Sequence, residues 1–468
     1  MNDSIPENIP CSIAFLNLGC AKNLVDSEKA MGTLESGGFE IADDLADADI
    51  IVINTCGFIE MARQESIEEI LNAAEFKLSE RAPALVVAGC LSVRFMEELK
   101  AELPEVDHFL GLVYPLEMLK LCTTIAGERG VIDATGSGHE SDDLLIPRSR
   151  KLTTPGHYAY LKIAEGCSNP CTFCAIPLIR GSTRSIEPDI LLEEAGVLVE
   201  GGVRELILVA QDTTHYGSDL SAAPDGVRPG LADLIGHLDR EVDQLEWIRL
   251  MYTYPSRITD DLLEVMAGAK HIVPYLDIPI QHGSESILTA MGRGMGPGAL
   301  LELLEKIRER VPGIAMRTSI VVGFPGESEK DFIDTVDLIR KVRFERLGVF
   351  TYSREEGTPA YGMEGQLPEE EMERRSGELL RIQQEIAREL NESLIGTVVD
   401  VMIDEELVDL EPFSLLGRTP WDAPEVDQGV YLERTPDTSM HLPGDIVRVE
   451  VTGSIDYDLE GIILKEPD

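Results

Sequence analysis

Three cysteines within eight residues constrain this chain more than any other feature. The run Gly166-Cys167-Ser168-Asn169-Pro170-Cys171-Thr172-Phe173-Cys174 spaces its thiols as CxxxCxxC inside a loop. A strand-like run, His157 to Glu165, precedes it, and Ile176-Pro177 follows. Thiolates are soft ligands suited to iron–sulfur clusters or zinc. Structural zinc wants four ligands in tetrahedral geometry, and no fourth Cys or His lies close by in sequence. A [4Fe–4S] cluster held by three thiolates leaves one iron open to an outside ligand, which suits chemistry better than electron storage. A zinc knuckle with a distant fourth ligand, or three unrelated buried thiols, remain the alternatives at this point.

The stretch before this loop carries three more cysteines in a regular setting. Residues 11–135 alternate strand-like and helix-like runs. Ser12 to Leu18 ends at Gly19-Cys20, Ala48 to Asn54 ends at Thr55-Cys56-Gly57, and Ala84 to Ala88 ends at Gly89-Cys90. Helical runs follow each, at Asn23–Glu35, Ile59–Ser79 and Ser92–Glu102. The near-continuous apolar strands read as a parallel sheet, and ligands bind outside the carboxyl ends of such strands. Cys20, Cys56 and Cys90 therefore form a second candidate triad. Cys11 and Cys122 lack that placement and read as structural.

Residues 136–156 have the Gly, Ser, Asp and Pro content of a linker. Their basic residues Arg148, Arg150 and Lys151 read as solubilising, with contact to a substrate as the alternative. Residues 157–395 repeat a strand–helix unit six times. The strands are expected at Tyr158–Ala164, Glu205–Ala210, Trp247–Tyr252, Tyr275–Ile280, Ala315–Val322 and Leu347–Tyr352. In β/α barrels the active site lies at the strands' carboxyl ends, where this repeat places the cysteine loop, Gln211-Asp212-Thr213-Thr214, Pro279-Ile280-Gln281-His282 and Gly323-Phe324-Pro325-Gly326-Glu327. A long amphipathic helix over 367–395 closes the repeat, with Gly396 as its cap. Residues 396–468 change to short alternating runs (Val398–Ile403, Gly429–Glu433, Ile446–Val451, Gly461–Leu464), the pattern of a small five-stranded barrel.

Charge narrows the partners. The 468 residues hold 85 acidic against 40 basic side chains, a net charge of -45. Such a surface repels phosphates and favours a basic partner, although an acidic, lysine-poor surface is also what salt adaptation produces. Residues 397–468 alone carry 18 acidic residues against four basic ones. No apolar run approaches the ~18 residues of a membrane span, and the polar Met1–Cys11 has no signal-peptide character. Eight cysteines without a secretory signal point to a reducing compartment, hence the cytoplasm.

With an aromatic residue before its last cysteine, the CxxxCxxC loop resembles the radical S-adenosylmethionine (SAM) superfamily. That resemblance implies that Cys167, Cys171 and Cys174 hold a [4Fe–4S] cluster whose open iron chelates SAM. It further implies cleavage of SAM to a 5′-deoxyadenosyl radical, and SAM contacts from Phe173, Gln211, Arg317 and Gly323. Gly19-Cys20-Ala21-Lys22-Asn23-Leu24-Val25-Asp26-Ser27-Glu28, with Asn54-Thr55-Cys56 and Gly89-Cys90, is similar to the opening domain of the methylthiotransferases. In that family three such cysteines hold a second [4Fe–4S] cluster that carries the sulfur to be inserted. The implied fold is a flavodoxin-like domain (11–135), a linker (136–156), a partial (β/α)6 barrel (157–395) and a TRAM-like β-barrel (396–468).

The family has two branches. One modifies isopentenyl-adenosine in tRNA, and the other modifies an aspartate β-carbon in small-subunit ribosomal protein twelve. Cys20–Glu28, Tyr352-Ser353-Arg354-Glu355-Glu356-Gly357-Thr358-Pro359-Ala360, Asp422-Ala423-Pro424-Glu425 and Asp456-Tyr457-Asp458-Leu459-Glu460-Gly461 resemble the second. The implied partners are that basic ribosomal protein and an external electron donor, with nucleic acid disfavoured by charge. Pro170 departs from the family pattern, in which a basic residue often occupies that position. An iron–sulfur electron carrier is the alternative from another class.

Overall fold

In this computed structural model the described residues are 11–129, 150–222, 226, 228–408, 410–435 and 440–465. The readings of the amino terminus before residue 11 and of linker residues 136–149, Arg148 among them, lie outside the described residues. Contacts divide the chain into two units: residues up to Thr153 together with Ala175–Ser182, and Thr154–Cys174 together with Thr183 onward.

The first unit runs β1 (Ser12–Asn17), α1 (Ala21–Ser36), β2 (Glu40–Ile41), β3 (Ile50–Thr55), α2 (Glu60–Ala74), β4 (Ala84–Gly89), α3 (Cys90–Glu102), β5 (His108–Phe109) and α4 (Pro115–Glu128). The strands form one parallel sheet in the order β2-β1-β3-β4-β5, the flavodoxin-like order expected. β3 and β4 are buried at every position because helices cover both faces of a parallel sheet. The two-residue period of a strand splits their side chains into two cores. Ile13, Ile50, Val52 and Val86 enter one; Ala14, Ile51, Ile53, Leu85 and Val87 enter the other. Cys11 and Cys122 lie in the first core.

The end of the linker is not solubilising. Arg150 is buried and donates to Glu28 of α1 through Nε at 2.9 Å and Nη2 at 2.6 Å. Thr153 adds its backbone amide at 2.8 Å and its hydroxyl at 3.0 Å to the other Glu28 oxygen. Lys151 pairs with Glu35 at 2.8 Å. Four donors satisfy one wholly buried carboxylate, so residues 150–153 form a strap across α1. The last piece of this unit, α5 (Ile176–Arg180), packs Ala175 and Ile179 against Cys90 and Leu112.

The second unit opens with β6 (Tyr158–Lys162) and β7 (Ala164–Glu165), followed by β8 (Arg184–Ser185), α6 (Pro188–Glu200), β9 (Glu205–Val209), α7 (Leu231–Glu241), β10 (Trp247–Leu250) and α8 (Asp260–Gly268). It continues with β11 (Ile272–Asp277), α9 (Glu285–Ala290), α10 (Pro297–Arg310), β12 (Ala315–Val322), α11 (Glu329–Val342), β13 (Arg346–Thr351) and α12 (Glu369–Leu394). Six strands make one parallel sheet in the order β13-β12-β11-β10-β9-β6, the open barrel the repeat predicts. The expected first strand, Tyr158–Ala164, breaks at Ile163, and β7 pairs instead with β8. Gly396, at φ +82°, follows the end of α12.

β14 (Val398–Glu406), β15 (Phe413–Arg418), β16 (Val430–Glu433), β17 (Ile446–Ile455) and β18 (Asp458–Ile463) close a barrel in the order β14-β15-β16-β18-β17. Four of its carboxylates bind side chains of the neighbouring barrel. Asp422 accepts from Arg346 Nε at 2.8 Å, and Asp427 accepts the Tyr275 hydroxyl at 2.7 Å. Glu425 accepts the Tyr158 hydroxyl at 2.9 Å, and Asp404 pairs with His157 at 2.8 Å and Arg418 at 3.1 Å. Arg418 also pairs with the buried Glu205. The β15–β16 connection thus seats on side chains from β6, β11, β12 and β13. These carboxylates hold the two barrels together.

Candidate metal centres

In the first unit β1, β3 and β4 each deliver one cysteine beyond the strand, at Cys20, Cys56 and Cys90. Close approach of the three turns depends on glycine. Gly89 sits at φ +102°, and a Cβ there would lie 2.5 Å from the Thr55 carbonyl oxygen. At Gly57 a Cβ would lie 2.6 Å from Leu91 Cα. No side chain fits at either place. Asn23 fastens the turns from within: its Nδ2 donates to the Thr55 carbonyl at 3.2 Å, and its Oδ1 lies 3.8 Å from Cys90 Sγ. Asn54 Nδ2 donates to the Asn23 carbonyl at 3.0 Å and to Ser27 Oγ at 2.8 Å. Ser66 Oγ meets both the amide and the carbonyl of Cys56, at 3.2 and 3.1 Å.

The three thiols share one electrostatic environment. Burial pushes the Cys56 thiol up to about 11, and the Cys20 and Cys90 sulfurs add to the rise. Burial also raises Cys90, against the lowering effect of Arg180. Cys20, exposed on its outer side, goes the other way. Crowding around its sulfur would raise its pKa, but the Lys22 and Arg180 cations and the amides of Asn23 and Lys22 outweigh it and bring it below 9.0. Arg180 donates to Asn23 Oδ1 and, at 3.2 Å, to Asp26 Oδ2.

In the second unit the Cys167–Cys174 loop lies beyond β7 and is buttressed on several sides. Thr172 donates its amide to the Met291 carbonyl at 3.0 Å, and its own carbonyl accepts the Ala360 amide at 2.9 Å. Asn169 Nδ2 donates to Asp212 Oδ2 at 2.8 Å, and Arg257 Nη1 donates to that same oxygen at 2.7 Å. Burial raises the Cys167 thiol, with Asp212 and Cys171 adding to the rise and the Asn169 amide opposing it. Arg293 stacks 4.0 Å from the Tyr254 ring centroid and points Nη1 at Cys171 Sγ, 3.6 Å away.

Among the described residues no group of His, Cys, Asp and Glu side chains converges closely enough to share a single metal ion. A cubane cluster takes its three thiolates on three separate irons, a wider triangle than one ion allows. The donor set, three soft sulfurs per site with arginine beside them, fits such a cluster.

The residues expected at SAM divide. Phe173 packs edge-on to Phe324 at 6.5 Å, in an apolar group with Ile287 and Met291. Gly323, at φ +81°, donates its amide to Glu327, whose carboxylate meets Arg375 at 2.9 Å. Gln211 Nε2 donates to Glu165 at 3.3 Å, while its Oε1 is buried and accepts no hydrogen bond. Arg317 stands third in β12, about 16 Å of strand below Val322, with Nη1 on Asp277 at 3.1 Å and Nε near Asp427 at 3.3 Å. His282 is buried between Thr335 and Glu327. Sequence reasoning missed Asn23, Arg180, Tyr254, Arg257 and Arg293. The available signal was cation scarcity: in so acidic a chain, an arginine six positions after the third loop cysteine is conspicuous.

Family models match residues 12–111 (uncharacterized protein family UPF0004), 161–339 (radical SAM superfamily) and 395–464 (TRAM domain). The chain is 45% identical over 98% of its length to the ribosomal protein uS12 methylthiotransferase RimO of Myxococcus xanthus, covering 93% of that protein. It is 46% identical over 96% of its length to the RimO of Lachnoclostridium phytofermentans, covering 99% of it. The chain belongs to the RimO methylthiotransferase family. The RimO-family chain also shares its fold with the radical SAM methyltransferase TsrM of Kitasatospora setae. That match has a TM-score of 0.55 at 15% identity and covers 75% of this chain and 77% of TsrM. Among its described residues no helix is long and apolar enough to cross a membrane.

Proposed function

We propose that this chain inserts a methylthio group at the β-carbon of an aspartate in ribosomal protein uS12. The observation that carries the reading is the pair of three-cysteine sites, one beyond the strands of each sheet, in a chain so similar along its length to proteins named for that activity. Cys167, Cys171 and Cys174 would hold one [4Fe–4S] cluster, and Cys20, Cys56 and Cys90 a second. With SAM, the first supplies a carbon radical able to take hydrogen from an unactivated C–H bond, and the second supplies sulfur.

The protein's own part is to hold and to shield. Arg293, stacked on Tyr254, fixes the Cys171 sulfur, while Asn169, Asp212 and Arg257 fix the loop's other limb. Gln211 offers an unpaired buried acceptor beside Glu165 for a donor group of SAM, and Gly323 lets the backbone approach a ligand. Phe173 keeps the loop's apolar side dry by packing on Phe324. Arg317, bound by two carboxylates low in its strand, is assigned to the inter-barrel contact. All eight cysteines are free, which suits a reducing cytoplasm, and the reducing electron comes from an external donor. The substrate is a basic ribosomal protein; the net charge of -45 opposes tRNA phosphates.

The test is an anaerobic reaction of the reconstituted chain with SAM and a chemical reductant, offered uS12 and tRNA together and read by mass. A methylthio group on the uS12 aspartate with unmodified tRNA is expected. Modified tRNA beside untouched uS12 contradicts the proposal.

A further inference from the structure

We propose that Arg180 is a positioning residue for the Cys20–Cys56–Cys90 centre: its buried guanidinium is the fixed counter-charge that lets three thiolates and their cluster occupy one site. The inference deepens the function above and rests on that centre holding a cluster.

Four observations converge on it. Arg180 is 5% exposed and belongs to the same unit as the three cysteines. Its Nη2 donates to Asn23 Oδ1, the atom that also faces Cys90 Sγ, and its Nη1 is steadied by Asp26 at 3.2 Å. Asn23 in turn holds the Thr55 carbonyl beside Cys56, so one guanidinium reaches the turns after β1, β3 and β4 together. The short helix α5 carries no other charged side chain, and Ala175 and Ile179 bury its apolar side against Cys90 and Leu112. The helix serves to present Arg180.

The physics gives the sign. Three thiolates gathered in a poorly solvated place repel one another, and each raises the cost of ionising the next. A cation held by hydrogen bonds offsets that repulsion. It also stabilises the more negative, reduced state of any cluster there, since cluster potentials follow net charge and hydrogen bonding. Arginine suits the task because it stays charged when buried and can grip Asn23 and Asp26 at once.

The experiment uses the full chain with Cys167, Cys171 and Cys174 all replaced by Ala, so that a single centre remains. Arg180→Gln removes the charge and keeps hydrogen-bonding groups; Arg180→Lys keeps the charge. Each is reconstituted anaerobically and read for iron per chain and for midpoint potential by spin resonance, with amide exchange of α1 as the fold control. In the glutamine variant we expect a more negative potential or, at unchanged α1 protection, lost iron; in the lysine variant we expect values near those of the parent. A glutamine variant with the parent's iron and potential overturns the proposal. So does a lysine variant that fails as the glutamine one does, because packing rather than charge would then be at stake. A parent that binds no iron overturns the proposal together with the cluster assignment beneath it, and only that outcome reaches the assignment.

Discussion

Replacing Arg150 by Ala should loosen α1 by an amount the structure sets. Glu28 is wholly buried and takes four hydrogen bonds, two from Arg150 at 2.6 and 2.9 Å and two from Thr153 at 2.8 and 3.0 Å. Removing one partner of a buried pair costs roughly 3–5 kcal/mol, because the remaining charge has lost both its partner and its water. The two Thr153 donors survive, so the low end applies, about 3 kcal/mol. By native-state hydrogen exchange of the full chain, the opening equilibrium of α1 should rise on the order of 100-fold. The double variant Arg150→Met, Glu28→Gln removes both charges and should recover most of that loss. Lys151→Ala breaks only an exposed pair with Glu35 and should cost less than about 0.5 kcal/mol. An Arg150→Ala chain whose α1 amides exchange within about threefold of the parent, or a double variant no better than the single, would refute the strap.

Further tests follow from the same geometry. Gly89→Ala forces a side chain onto φ +102° and against the Thr55 carbonyl; a loss of about 1–3 kcal/mol from backbone strain alone should appear as a lower denaturation midpoint and reduced iron uptake. In the metal-free chain, Cys20, lowered below 9.0, should alkylate at lower pH than Cys56, raised to about 11, as read by mass against pH; equal rates would contradict the shared field. Because the fold raises Cys56 and Cys11 to about 11 and Cys122 to about 12, the folded chain keeps protons that the unfolded chain loses. Stability of the metal-free first unit should be full below pH 9 and fall as pH rises through about 11, followed by denaturant titration. Asp427→Ala removes the acceptor of Tyr275 and a partner of Arg317; faster proteolysis between the two barrels, after α12, is expected.

How far the sequence could be read depended on how local each signal was. β3 and β4 announce themselves because both faces of a central parallel strand are apolar, and the cysteines follow because such strands end where ligands bind. The CxxxCxxC loop is legible for the same reason. The fifth strand of the small barrel, β15, was not located: Phe413–Arg418 lies between Pro412 and Thr419-Pro420 and carries a glycine, so its period is interrupted. Arg150 and Arg180 escaped because their meaning lies in partners far along the chain, Glu28 at a separation of 122 residues and Asn23 at 157. A charge that reads as solubilising locally becomes a buried counter-ion only when the fold supplies the carboxylate or thiol. Four carboxylates of the acidic carboxyl-terminal segment, Asp404, Asp422, Glu425 and Asp427, bind side chains of the neighbouring barrel, a pairing no local pattern shows.

Iron content tests the central claim most directly. Reconstituted without oxygen, the parent chain should bind about eight irons, and chains with either cysteine triad replaced by Ala about four each. A parent that saturates at about four irons, or a Cys20/Cys56/Cys90 triple variant that still takes up about eight, would contradict two separate three-thiolate centres.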